Sequence, residues 1–275
     1  MSRPADHDRA GMTWQRGIWD RYPALYQREV DKRFVPVVQQ VLRRAALTPG
    51  QQVLDLGTGT GSVALQAAAL VAPHGDVLAV DLSPAMLAAA QQRVQRTGIG
   101  NGQFREGRAE AIPVDDGAVD VVLASLSLMY AIDRAAAARE IARVLRPEGR
   151  FVAAVWVGAD QCDIVLFQQT AGRFAPPPPV AGVGPGALAD PTPFLHQLAA
   201  AGIMAQVETE TLGFDYETFD LAWEVLAGTT AADLTPERQQ EARDAVKALM
   251  WPQGDGPRHF RNVTQFIVGQ QRIQG

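Results

Sequence analysis

One cysteine, Cys162, stands in 275 residues. A lone thiol cannot close an intrachain disulfide, and a zinc site taking two or more cysteines from this chain is excluded. Long apolar runs are missing as well. A membrane span needs about 18 or more such residues, and the longest uncharged candidate, Val121 to Ile132, is shorter and carries Ser125 and Ser127. The opening MSRPADHDRAGMTWQRG mixes charges of both signs and has no apolar stretch, so it does not read as a signal peptide, and a cytoplasmic location is expected. Nor is there an excess of basic charge. Thirty acidic residues against 25 basic leave a net −5, a poor balance for gripping nucleic acid through its phosphates. Nucleic acid, stable membrane insertion and a metal centre are therefore not expected.

What is present is ordinary for a globular chain: 47% hydrophobic and 20% charged residues. The length suits one large domain, or one domain with an insert. From residue 51 short β-branched runs alternate with helical ones. Gln52 to Leu56 reads as a strand, Ser62 to Val71 as a helix and Val77 to Asp81 as a second strand. Ser83-Pro84 has the form of an N-cap followed by proline in the first turn. Further strands are expected at Gln103–Glu106, Val119–Ala124 and Phe151–Val157, with Asp133 capping a helix before the last of these. Such alternation implies βαβ crossovers and a mostly parallel, doubly wound α/β sheet. After Val157 the rhythm breaks into a proline- and glycine-dense loop, Phe174 to Gly186, then a helix from Thr192 and a strand near Met204–Leu212. Two helical stretches and a closing strand at Phe260–Val268 follow.

Strand one runs into Gly57-Thr58-Gly59-Thr60-Gly61, and glycines between strand and helix let a ligand approach a helix N-terminus closely. By itself the turn also suits a plain connector. Two carboxylates accompany it: Asp55, two residues before the first glycine, and Asp81 at the end of strand two, where it could accept ribose hydroxyls or cap the next helix. A dinucleotide fingerprint would want a small residue in the last register position, and Ser62 fits it imperfectly. The place held by Asp55 is normally apolar there; a carboxylate suits a ligand with an amino or sulfonium group.

Val53-Leu54-Asp55-Leu56-Gly57-Thr58-Gly59-Thr60-Gly61 resembles motif I of the class I S-adenosylmethionine-dependent methyltransferases. Val80 to Leu87, Ala109 to Val114, Val119 to Tyr130 and Arg143 to Arg150 are similar, in register, to later motifs of the small-molecule subgroup related to ubiquinone and menaquinone biosynthesis enzymes. The resemblance implies a seven-stranded Rossmann-like sheet with its last strand antiparallel, and S-adenosylmethionine as cofactor. It puts Gly57, Thr58, Gly59 and Gly61 against the methionine moiety and Asp55 near its amino group. Asp81 would bind the ribose, Leu82 and Met86 would flank the adenine, and the Ala109 amide would meet the adenine edge. Ser125 would lie near the methionine portion. Arg108 replaces the family's usual aspartate, so Glu110 or a backbone carbonyl is expected to serve the adenine amino group instead.

Residues 1–48 are expected to form an N-terminal helical arm or cap on a methyltransferase domain at 49–275, with helical lid inserts at about 160–190 and 214–258. Trp14, Trp19, Tyr22 and Tyr26 recur at helical spacing, which suits either a wall of the acceptor pocket or packing of the arm on the core. Tyr130 joins them as a candidate wall residue. Phe167, Phe174, Phe214, Phe219 and Trp223 suit a lipophilic acceptor, or the inserts' own core. His259, flanked by Arg258 and Arg261, is the candidate general base or anion contact; a solvated histidine is the plain alternative. The expected activity is methylation of a small lipophilic or aromatic molecule at O, C or N. An NAD(P)-dependent oxidoreductase and a non-catalytic S-adenosylmethionine-binding protein are the rivals, and monomer and homodimer both stay open.

Overall fold

The computed structural model describes residues 4–272. Its elements run α1 (Pro4–Trp19), α2 (Pro23–Leu25), a π-helical turn (Tyr26–Val30), α3 (Asp31–Ala45), β1 (Gln52–Leu56), α4 (Ser62–Val71), β2 (Asp76–Asp81), α5 (Pro84–Thr97), β3 (Gly102–Glu106), β4 (Val119–Ser125), α6 (Arg134–Val144), β5 (Leu145–Trp156), α7 (Asp163–Gly172), α8 (Thr192–Ala200), β6 (Ile203–Tyr216), α9 (Phe219–Ala231), α10 (Pro236–Met250) and β7 (Arg258–Gln271). The sheet order is β3-β2-β1-β4-β5-β7-β6. Strands β1 to β5 pair in parallel, while β7 runs antiparallel to both β5 and β6. The order reverses between β1 and β4, and in open α/β sheets ligands bind outside the strand carboxyl ends at such a point.

Strands buried on both faces read as continuous apolar runs. Val121 to Ala124 and Phe151 to Val155 are sealed, and α3 packs across β4 to β7. The caps form as the sequence predicts: Ser83 Oγ accepts from the Met86 amide at 3.1 Å, and Asp133 Oδ1 from the Ala136 amide at 2.9 Å.

Beyond β5 the sequence expectations shift. Strand β6 continues to Tyr216, so residues 214–216 are sheet rather than insert, and the Phe214 ring packs on Phe34 and Trp156 at 5.4 and 6.2 Å. Helices α7, α9 and α10 pack together. Phe167, Phe219, Trp223, Trp251 and Phe260 meet there at ring separations of 5.1 to 6.3 Å. Phe167, Phe219 and Trp223 are thus part of the inserts' own core, which accounts for them without a ligand, whereas Phe174 is half-buried beside Arg238.

Segment 4–45 is tied to both sides of this structure. Asp20 accepts from Ser83 Oγ at 2.5 Å, and Asp31 from Thr60 Oγ1, Ser62 Oγ and Arg93 Nη1 at 2.9, 2.8 and 2.6 Å. Toward α9, buried Tyr22 donates to the Val225 carbonyl at 2.6 Å. Arg21–Asp233 and Arg28–Glu224 are exposed ion pairs that add little. The tyrosine is the stronger tie, because Gly228 lets its ring lie directly on the α9 backbone: a Cβ there would reach its hydroxyl at 2.5 Å and Cζ at 2.8 Å. Gly228→Ala should therefore destabilise the protein by roughly 1–3 kcal/mol through overpacking. Denaturant unfolding checks this, and an unchanged midpoint would deny the close contact.

Candidate functional site

A cleft at the carboxyl ends of β1, β2 and β4 holds about 860 Å³, part of it open to solvent. Its floor begins where β1 ends. The Gly57 and Thr58 amides donate to the Val80 carbonyl at 2.8 and 3.0 Å, fastening the turn to β2. Gly57 has φ +74°, and a Cβ there would collide with Ser127 Cβ and stand 2.8 Å from Ser127 Oγ. Ser127 is held in place by donating from Oγ to the Leu56 carbonyl at 2.7 Å. Leu126, just before it, takes φ +56°, a left-handed conformation that costs a branched residue about 1–3 kcal/mol. Its amide donates to Ala154 at 2.8 Å, so the loop after β4 is drawn over the glycine turn at the cost of strain.

Asp81 receives the Gly59 amide at 2.8 Å and the Ser83 amide at 2.9 Å, one on each carboxylate oxygen. Lone pairs on both oxygens remain for hydroxyls in the cleft. Asp55 is fully buried and accepts Thr58 Oγ1 at 2.6 Å on one oxygen, while the other has no hydrogen-bond partner among the described residues. Burial pushes its carboxyl up to about 7, against the lowering effect of the Thr58 hydroxyl.

Of the residues singled out from sequence, Gly57, Gly59, Asp81, Leu82, Met86, Arg108, Ala109, Glu110, Ser125, Trp19, Tyr26 and Tyr130 line this cleft together. Asp55, Thr58 and Gly61 stand behind it. Gly61, at φ +85°, begins α4 and would bring a Cβ within 3.1 Å of Ala90, so its smallness serves helix packing. Glu110 is committed elsewhere: its Oε1 accepts the Ile132 and Asp133 amides at 2.6 and 3.2 Å. Tyr22 is turned away, into α9. The aromatic spacing suggests one helical face, but α1 stops at Trp19 and Pro23 starts a new helix, which splits the stripe. His259 is also taken away from the cleft. It lies within β7, exposed and 2.7 Å from Asp215 on β6, because strand alternation sends Phe260 inward and its neighbours out. Cys162 is buried, its thiol pushed up to about 12 by desolvation.

Sequence reasoning missed Met12, Gln15 and Ile132, which also line the cleft. Met12, Gln15 and Trp19 fall three and four residues apart, so carrying the aromatic stripe back one turn along α1 would have found two of them. Buried Gln15 donates to the Tyr130 carbonyl at 2.7 Å, and Trp19 meets the Tyr130 ring edge-on at 5.2 Å.

The family described as "Methyltransferase domain" matches residues 47–171. Those residues form a class I S-adenosylmethionine-dependent methyltransferase domain. Nocamycin O-methyltransferase of Saccharothrix syringae is 34% identical over 133 residues, 48% of this chain and 48% of that protein. The ubiquinone/menaquinone biosynthesis C-methyltransferase of Pasteurella multocida is 36% identical over 104 residues, 38% of this chain and 39% of that one. The chain spans about half the length, or less, of the curated relatives it matches. The crystal structure of the YcgJ protein from a Bacillus has a TM-score of 0.62 at 21% identity, covering 86% of this chain and 98% of that chain, a likeness of fold.

The cleft fits the cofactor of this family. Gly57 leaves a cradle that a Cβ would fill, Asp81 keeps acceptor capacity toward the cleft, and Asp55 holds an unpartnered buried oxygen behind the turn.

Proposed function

We propose that this protein transfers a methyl group from S-adenosylmethionine to O, C or N of a small lipophilic or aromatic molecule. One observation carries the reading: a single cleft joins the glycine turn and Asp81 on one side to Met12, Trp19, Tyr26 and Tyr130 on the other. The cofactor supplies an electrophilic methyl on a sulfonium. On this reading Gly57 and Gly59 lie along its methionine portion, Asp81 accepts its ribose hydroxyls, Leu82 and Met86 flank the adenine and the Ala109 amide meets its edge. Glu110, already engaged by two backbone amides, is a weak candidate for the adenine amino group, which leaves that contact to a backbone carbonyl. Segment 4–45 caps the site and supplies acceptor-side wall residues. Alignment of acceptor and methyl can supply much of the acceleration, up to roughly 7–11 kcal/mol in favourable cases.

The test is thermal unfolding and calorimetric titration with S-adenosylmethionine, S-adenosylhomocysteine and NADPH. At about a hundredfold excess over Kd a ligand adds ~2.7 kcal/mol to stability, and both adenosyl ligands should do so while NADPH does not. Asp81→Ala should weaken adenosyl binding at least about tenfold, as expected for lost charge-assisted hydrogen bonds. Stabilisation by NADPH alone would replace this reading with the oxidoreductase one. Tight binding with no methyl release to any phenol, enol or amine in a broad panel would favour a non-catalytic binding protein.

A further inference from the structure

The acceptor side of the cleft is defined as much by the chemistry of its available groups as by its shape. Among the described residues that line it there is no histidine, lysine or cysteine. Its two carboxylates each accept two backbone amides: Asp81 those of Gly59 and Ser83, one on each oxygen, and Glu110 those of Ile132 and Asp133, both on Oε1. Ser127 spends its hydroxyl on the Leu56 carbonyl. Tyr26 and Tyr130, by contrast, line the cleft, and neither hydroxyl bonds to a described residue. Burial raises the ionisation of both above the usual phenol range; Asp31 and Asp81 add to the effect at Tyr26, and Tyr22 at Tyr130. They are therefore hydrogen-bond donors, not bases. Met12, Trp19, Leu126 and Ile132 make much of the remaining wall apolar, and Arg108, Gln15 and Ser125 add polar groups to it.

Resting on the methyltransferase reading above, we propose that the acceptor is an acidic phenol or enol, bound as its oxyanion by the Tyr26 and Tyr130 hydroxyls, with no side chain acting as base. A phenol or enol that ionises near neutrality gives its proton to water before transfer. A lone pair of the anion then forms the bond to the methyl carbon as the carbon–sulfur bond breaks, the pair staying on sulfur. Anion and sulfonium become two neutral products. The opposite charges attract more strongly within an apolar wall than in water.

The probe is 4-nitrophenol, whose phenolate is coloured, titrated into protein saturated with S-adenosylhomocysteine at a pH below the phenol's own midpoint. Absorbance reads the ionised fraction of the bound probe directly. Two hydrogen bonds to the oxyanion should raise the phenolate-to-phenol ratio by about tenfold or more over free probe. Tyr130→Phe and Tyr26→Phe should each reduce that gain and together abolish it, while S-adenosylhomocysteine still binds the variants and reports an intact fold. 4-Nitroanisole, which has no proton to lose, should compete poorly. If S-adenosylhomocysteine binds but 4-nitrophenol does not, or is bound un-ionised, or ionises equally in the double variant, the proposal is overturned. If S-adenosylhomocysteine itself fails to bind wild type, the methyltransferase reading falls and takes this inference with it.

Discussion

Gly57→Ala should lower the melting temperature by roughly 5–10 °C and abolish measurable S-adenosylmethionine binding. Two costs combine. The native φ of +74° is unfavourable for an L-residue with a Cβ, by about 1–2 kcal/mol. The added methyl would also run into Ser127, adding an overpacking penalty of about 1–3 kcal/mol. Ser127 cannot easily retreat, because it donates to Leu56 and follows the strained Leu126, itself fixed to Ala154. At about 2–4 °C per kcal/mol for a chain somewhat smaller than this one, a loss near 3 kcal/mol gives the stated range. Binding suffers more than stability, since relief of the clash must shift either the glycine turn or the post-β4 loop, and both line the cleft.

A double-mutant cycle separates the two costs. Ser127→Gly removes the colliding Cβ and loses the Leu56 hydrogen bond. Gly57→Ala in that background should then cost only the conformational term, leaving a coupling of about 1–3 kcal/mol. Additive losses would mean that Ser127 and residue 57 do not meet, and the account of the turn would fail with them.

The parts of this protein that were legible in its sequence are those where one physical requirement dominates. Val53 to Leu56 and Val119 to Ala124 read as strands of a parallel sheet because, apart from Asp55 and Asp120, they are continuous apolar, largely β-branched or leucine runs. Ser83-Pro84 reads as a helix start because capping and a fixed proline φ both demand it. The cleft residues Gly57, Gly59 and Asp81 stood out for a related reason: few other residues permit that turn or that double acceptor. Reading failed where tertiary packing chose among local options of equal cost. Helical spacing put Tyr22 with Trp19 and Tyr26, but the break at Asp20–Tyr22 rotated it onto Gly228. Pro23 was the visible warning. His259 looked available before a strand expected to start at Phe260, whereas β7 begins at Arg258 and alternation turns His259 outward beside Asp215. At the start of β5, Arg146 to Gly149 form an irregular entry to the strand, with Glu148 at φ +63° and a register shift opposite Val119–Val121.

Asp55 leads to the second large effect, a pH dependence whose sign follows from burial. Its folded carboxyl is pushed up to about 7 from the ordinary 3.8, so the folded protein binds the proton more tightly than the unfolded chain does. Below the unfolded value both states are protonated and Asp55 imposes no cost. As pH rises from about 4 the unfolded chain ionises first, and stability falls until the folded carboxyl also ionises near 7; above that the cost is constant. At about 1.4 kcal/mol per pKa unit the full effect is on the order of 4 kcal/mol. Asp55→Asn keeps an acceptor for the Thr58 hydroxyl and cannot ionise. It should match wild type near pH 4 and exceed it by up to about 4 kcal/mol at pH 8, as read by urea unfolding at both pH values. The reading that sets Asp55 near the cofactor's amino group adds an opposite trend in binding. A cation beside the buried carboxylate favours the ionised form, so S-adenosylmethionine affinity in wild type should climb between pH 5 and 7 and level off above it. Calorimetry in that window should find proton release on binding, absent from Asp55→Asn, whose affinity should be lower and flat. A variant no more stable at pH 8 would refute the burial cost. A stabilised variant that binds as tightly as wild type would leave Asp55 a structural carboxylate with no part in holding the cofactor.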